Sequence, residues 1–226
     1  MEHEQYGKPT HADDLRSKSS VLSTNTINWW SGLLRIISLL VFFCCLLSAS
    51  AQVKEFRVAK DQENLVKFIS KAPFESFEGV TDKLDGYVLW EGDDPVNRSE
   101  IYFEVDLSSL DTGIGLRNRH MRDNYLETQK YPFAILSAKL VSFENIAETN
   151  AFQAQLTGTM EIHGQKKDME ITGVVTALAD GGYRVKSGFR ITLGDFKIKI
   201  PKLMFLKINE EIQIELDFFI REITTK

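Results

Sequence analysis

Apolar and polar residues alternate along most of the chain from residue 56 onward. The clearest run extends from Phe152 to Ile162, where even-numbered positions are apolar or Gly and odd-numbered positions are Gln, Thr or Glu. Successive side chains of a strand point to opposite faces, so this period of two predicts half-buried antiparallel strands. We expect eight or nine strands, near residues 56–60, 64–71, 84–91, 99–108, 133–144, 151–163, 167–178, 182–200 and 209–223. Several exceed ten residues, a length that suits the tilted strands of a barrel.

Residues 113–130 interrupt the alternation. Arg117, Met121 and Tyr125 are spaced by four, which places them on one face of a helix. Pro132 ends any helix before the next strand begins. The segment therefore predicts a short helix or an ordered loop inserted into an otherwise all-β domain.

The N-terminal region has a different pattern. Residues 36–47 are apolar except for Ser38, Arg35 precedes them, and Ala49 and Ala51 supply the small residues that signal peptidase requires. This pattern predicts a secretory leader over residues 1–51, cleaved after Ala51, and a single domain over residues 52–226 in the periplasm or outside the cell. The alternative is an uncleaved membrane anchor formed by residues 33–51.

The composition of the chain argues against several classes of function. The net charge is −5, which argues against a general nucleic-acid binder. The two Cys, Cys44 and Cys45, both fall in the predicted leader, and the chain has four His. Common nucleophile, phosphate-loop and zinc-protease motifs are absent from the sequence. We therefore expect no catalytic residue, no metal site and no cofactor, and we interpret His163, which precedes Gly164, as a turn residue.

A basic cluster lies within the predicted helix. It allows two interpretations: a solvated helix face that pairs with Asp123 and Glu127, or a contact site for a polar head group. Its members are Arg117, Arg119, His120 and Arg122.

Several motifs, in their order along the chain, resemble those of the YceI-like polyisoprenoid-binding proteins. They are LSSLDTG at residues 107–113, RNRHMR at 117–122 before Tyr131-Pro132, LTGTMEIHG at 156–164, and DFKI at 195–198 before Pro201. The resemblance covers about residues 54–223. It implies a lipocalin-like, eight-stranded antiparallel β-barrel with a long apolar cavity for an isoprenoid chain, such as a quinone tail or a polyprenyl carrier, and it implies no fixed catalytic residues.

We therefore expect a secreted or periplasmic protein that sequesters or carries an isoprenoid lipid or quinone. The apolar faces of the strands give ten candidate cavity-lining residues: Phe103, Val105, Ile135, Leu156, Met160, Ile171, Phe189, Ile191, Ile214 and Phe218. Two alternatives stay open. One is a lipid-modifying enzyme with His120, Arg117 and Arg119 at the cavity mouth, and the other is a structural barrel whose lumen is filled by side chains.

An apolar loop follows Pro201. Leu203, Met204, Phe205 and Leu206 are four consecutive apolar residues between Lys202 and Lys207. Loops usually run over the surface and are polar. The loop therefore predicts either a plug that folds back on the barrel or a transient contact with a membrane.

Overall fold

The computed structural model describes residues 32–35, 37–38, 53–71, 76–92, 94–96, 98–200, 202–203, 206–207 and 209–223. The chain divides into two compact units, Met1–Ser50 and Ala51–Lys226. Twelve strands lie in the described part of the second unit: β1 (Val53–Val58), β2 (Leu65–Ser70), β3 (Phe77–Thr81), β4 (Leu84–Glu91), β5 (Ser99–Asp106), β6 (Phe133–Asn145), β7 (Ala151–Ile162), β8 (Gln165–Ala177), β9 (Tyr183–Thr192), β10 (Lys202–Leu203), β11 (Leu206–Lys207) and β12 (Glu211–Glu222).

Eight of these strands close into an antiparallel ring. Their order is β1, β4, β5, β6, β7, β8, β9 and β12, and β12 pairs again with β1. Closure leaves the ring without a free edge, and a ring of eight strands encloses room for side chains or for one small ligand. The predicted lipocalin-like, eight-stranded antiparallel barrel is confirmed.

One edge of β12 is shared by two strands. Its C-terminal part pairs with β1 and its N-terminal part pairs with β2, which in turn pairs with β3. Asn64 lies between β1 and β2, and its buried side chain satisfies both sides of the junction. Its Nδ2 donates to the Ala59 carbonyl at 2.8 Å, and its Oδ1 accepts from the Phe219 amide at 3.0 Å. The side-chain amide of Asn64 therefore replaces the backbone hydrogen bonds that are lost where β12 changes its partner from β2 to β1.

The segment between β5 and β6 forms the predicted insertion. A 3-10 turn at Leu107–Ser109 leads to helix α1 (Gly115–His120), which continues into a π-helical turn at Met121–Tyr125. The prediction of a short helix is confirmed. We call the end of the barrel that carries this segment the α1 end; the turns β2–β3 and β7–β8 and the start of β12 lie there too.

Two parts of the strand prediction were wrong. The five-residue strand β3 was missed because it contains little alternation of apolar and polar residues. The strand expected over 182–200 ends at Thr192, and Leu193–Phe196 form a 3-10 turn. Strand β9 pairs with β8 only between Tyr183 and Ser187, and beyond that point the two strands separate. Phe196 and Ile198 are buried in the adjoining core, so their apolar character reflects packing and not a strand.

The predicted leader lies largely outside the described residues. Residues 32–35 and 37–38 are helical. Within the part of the chain that the structure describes, no helix is both long and apolar enough to span a bilayer.

Candidate ligand cavity

The barrel encloses a cavity of about 660 Å³. Its wall is formed by inward-facing side chains of strands β2 to β9 and β12, together with α1 and the residues that flank it. The lumen is therefore not filled by side chains, and the alternative of a filled structural barrel is wrong.

Nine of the ten residues predicted from the strand alternation lie on the cavity wall. The nine that lie on it are Phe103, Val105, Leu156, Met160, Ile171, Phe189, Ile191, Ile214 and Phe218. Ile135 is a correction, since it pairs with Glu104 and Glu161 in an outward-facing row while Ala134 and Leu136 face the cavity. Residues 133–138 carry apolar side chains at both even and odd positions, so the pattern did not fix which set faces inward.

The two ends of the cavity differ in chemistry. At the α1 end, the wall includes the cationic side chains of Arg117 and Lys199 and the imidazole of His120. At the opposite end it includes Trp90, whose ring stacks on Phe56 with centroids 4.6 Å apart, and Tyr183. Between them the wall is almost wholly apolar, so the cavity suits a molecule with a long hydrocarbon body and a polar end.

Arg117 is held in a defined position on the wall. Its Nε donates to Thr112 Oγ1 at 2.9 Å, and one terminal nitrogen donates to the Thr112 carbonyl at 2.8 Å. The guanidinium carbon lies 4.5 Å from the centroid of the Phe77 ring. Thr112 is itself fixed by Asn118, whose Oδ1 accepts from the Thr112 hydroxyl at 2.6 Å. These contacts keep a positive charge beside the apolar lumen.

The other three residues of the basic cluster differ in whether they lie on the cavity wall. His120 lies on the cavity wall with Arg117, whereas Arg119 and Arg122 do not. The expected pairing of the arginines with Asp123 and Glu127 is not seen for Arg119 or Arg122 among the ion pairs of the described residues. Glu127 Oε2 lies instead 3.4 Å from Nε2 of His163.

His163 lies in the turn between β7 and β8 and is absent from the cavity wall. Its φ of 52° lies in the left-handed region, its Nδ1 is 3.2 Å from the Phe196 carbonyl oxygen, and its ring packs on Tyr131. Through these contacts His163 joins the β7–β8 turn to two other segments: the segment before β6, which contains Glu127 and Tyr131, and the 3-10 turn after β9, which contains Phe196.

Among the described residues, His120 has none of the partners that acid–base chemistry requires. No hydrogen bond joins it to a carboxylate or hydroxyl among the residues the structure describes. Within the same residues, no three His, Cys, Asp or Glu side chains converge as metal ligands would. Nothing in this geometry favours the lipid-modifying enzyme.

Sequence reasoning missed several wall residues. Ser70 is 1% exposed, and its Oγ has no hydrogen-bond partner in the described part of the chain. Nothing in the sequence distinguishes this serine from other strand serines. Ile114 and Leu116 also reach the wall, although both are more than half exposed. The available signal was their position beside glycines, just ahead of the basic cluster.

A closed eight-stranded antiparallel barrel around an apolar cavity defines the class of lipocalin-like barrels. The model of the YceI-like domain matches residues 56–219, and the chain belongs to that family.

Two solved structures are among those that share this fold. One is Burkholderia cenocepacia BcnA, with 18% identity, a TM-score of 0.58, and coverage of 72% of this chain and 98% of that chain. The other is a polyisoprenoid binding domain from Saccharophagus degradans implicated in plant cell wall breakdown, with 19% identity, a TM-score of 0.57, and coverage of 75% and 98%. No curated protein matches this chain.

Proposed function

We propose that this protein binds an isoprenoid lipid in the barrel cavity and sequesters or carries it. The observation that carries the proposal is the apolar wall, which extends around about 660 Å³ from the cationic α1 end to the aromatic opposite end. The Saccharophagus degradans structure of the same fold is a polyisoprenoid binding domain, which supports the same ligand class. Removing a chain of ten methylene groups from water is worth about 8 kcal/mol before the cost of association, so burial of the hydrocarbon supplies the main driving force for binding.

The proposed ligand is a polyprenyl lipid or a quinone, bound with its polar head at the α1 end of the cavity. Arg117 and His120 face that head, while Arg119 and Arg122 lie off the wall. The nine predicted wall residues contact the hydrocarbon chain, whose far end reaches Trp90. A polar head placed at the opposite end would meet Trp90 and Tyr183, which offer hydrogen bonds but no positive charge.

The proposed setting is the periplasm or the exterior of the cell. Residues 1–51 act as the leader, and residues 52–226 form the carrier domain. The loop from Leu203 to Leu206 is a further candidate for transient membrane contact. The backbones of Lys202–Leu203 and Leu206–Lys207 pair as two short strands, but the side chains of this loop lie outside the described residues.

The test is lipid retention by a variant with a charge in the lumen. Leu156 faces the cavity, and its neighbour Thr157 belongs to the outward row between Lys139 and Glu170. Leu156→Asp introduces a carboxylate that repels hydrocarbon and draws water into the lumen, so we expect organic extracts of the purified variant to lack isoprenoid lipid. Thr157→Asp, the matched control, retains it.

Circular dichroism establishes that both variants are folded. If folded Leu156→Asp carries as much extracted lipid as Thr157→Asp, the lipid lies elsewhere and the proposal fails. If Leu156→Asp does not fold, Met160→Asp repeats the test further toward the α1 end of the same strand.

A further inference from the structure

Two exposed apolar side chains border the opening of the cavity. Ile114 is 51% exposed and Leu116 is 58% exposed, yet both belong to the cavity wall. Single exposed aliphatic residues are ordinary on protein surfaces and require no explanation. Val141, which is 49% exposed on β6 and takes no part in the wall, is one of these. Ile114 and Leu116 differ because they extend the apolar lining of the lumen onto the outer surface.

One cation neighbours this apolar pair on α1, and a second lies on the cavity wall at the same end of the barrel. Arg119 follows Leu116 by three residues on α1, so the two side chains are neighbours on one helix face. Lys199 is exposed and also lies on the cavity wall. We call Ile114, Leu116, Arg119 and Lys199 the lip.

The lip has the opposite sign to the protein as a whole. The net charge of the chain is −5, but residues 113–130 contain four Arg or Lys and two Asp or Glu. Neither Arg119 nor Lys199 forms an ion pair within the part of the chain that the structure describes. These two cations are therefore available to an external anion.

We propose that the lip docks the α1 end of the barrel on an anionic lipid bilayer. Ile114 and Leu116 enter the boundary between head groups and acyl chains, while Arg119 and Lys199 contact lipid phosphates. Interfacial membrane binding commonly has this arrangement, in which an apolar face inserts into the bilayer and flanking cations contact the anionic head groups. It rests on the proposed function in one respect: a lipid that leaves the bilayer at this point enters the cavity without crossing water.

The residues that flank the connection containing β10 and β11 lie at the α1 end. The connection begins just after Lys199 and returns to the chain ahead of Glu211, where β12 starts at the α1 end. Lys199 and the start of β12, which flank this connection in the chain, therefore lie at the same end of the barrel as the lip, and Trp90 marks the other end.

Vesicle co-sedimentation tests the docking. The protein is Ala51–Lys226, the compact unit that contains the closed ring and both buried clusters. The vesicles contain phosphatidylcholine alone or phosphatidylcholine with phosphatidylglycerol, and no isoprenoid lipid. We expect binding that requires phosphatidylglycerol and weakens in high salt. The Ile114→Ser/Leu116→Ser double variant should partition about tenfold less, because two large aliphatic side chains no longer enter the interface.

Two further variants separate the contributions. Arg119→Glu should weaken binding to phosphatidylglycerol vesicles, because it replaces a cation that contacts lipid phosphate with an anion. Val141→Ser, the matched control for an exposed apolar residue outside the lip, should bind as the parent protein does. Equal partitioning of the double variant and Val141→Ser would overturn the proposal, as would binding that ignores phosphatidylglycerol. A protein that docks normally but yields no isoprenoid lipid on extraction would contradict the proposed function and leave the docking intact.

Discussion

Filling the cavity with a larger side chain tests whether the lumen is open space that binds lipid. Leu156 lies near the middle of the barrel, because it packs against both buried clusters, one toward each end. It is half-buried and lies on the cavity wall. In Leu156→Trp the larger side chain extends into open space and not into packed neighbours. Stability and lipid binding should therefore change in opposite directions.

The magnitude follows from the volume that the new side chain occupies. Replacing Leu by Trp adds roughly 60 Å³, and filled cavity volume is worth about 24 cal/mol per Å³, so the gain in stability is up to about 1.4 kcal/mol. The same volume is lost to the ligand out of a cavity of about 660 Å³. The hydrocarbon chain then loses contacts of similar worth, which corresponds to about tenfold weaker binding.

Two measurements on the same preparations complete this test. Denaturant unfolding of lipid-free protein gives the stability, and titration with a polyprenyl lipid or quinone gives the affinity. Thr157→Trp places the same side chain on the outer face and should change neither by more than a few tenths of a kcal/mol. The reasoning is refuted if Leu156→Trp loses stability and binds lipid as the parent does, since position 156 would then be packed core.

Three other predictions concern stability. Asn64→Leu leaves the Phe219 amide without its acceptor and should destabilise by about 3 kcal/mol in urea unfolding, and a loss under 1 kcal/mol would show that β12 changes partner without this amide. Ser70→Ala removes a buried hydroxyl that has no partner among the described residues, so lipid-free protein should gain about 1 kcal/mol, whereas a loss would reveal a bond that Ser70 makes. Hydrogen bonds from Arg184 hold the pKa of Asp217 below its usual value, although partial burial opposes this. A carboxylate with a lowered folded-state pKa stabilises above its unfolded pKa of about 4, so Arg184→Gln should be less stable than the parent at pH 7, and the difference should vanish as the pH falls through the folded pKa. A difference that persists unchanged at low pH would assign it to packing.

The barrel could be predicted from the sequence because each long strand has a polar face toward solvent and an apolar face toward the lumen. The alternation in β7 is complete, and its inward residues Leu156 and Met160 are on the cavity wall as expected. The alternation failed at Ile135, where apolar residues occupy both faces of β6 and the register is set by pairing with β5 and β7. Local pattern cannot supply that information, because register is a property of two strands.

The finer features of the site depend on contacts between distant segments. The four-residue spacing of Arg117, Met121 and Tyr125 predicted a helical face, and all three line the cavity. The same spacing does not say that Arg117 packs over Phe77, forty residues earlier in the chain. Ser70 is buried in the closed barrel, and its hydroxyl has no partner among the described residues. Such features follow from the closed ring and not from the strands taken singly.

Native mass spectrometry of the protein purified from the cells that make it tests the central claim most directly. The account predicts a species heavier than the polypeptide, and collisional activation should release the excess mass as a molecule whose fragments differ by isoprene units. Leu156→Asp should carry no such mass, while Thr157→Asp should carry it. A protein that shows only its polypeptide mass, and takes up neither polyprenyl lipid nor quinone when these are supplied, would contradict the account.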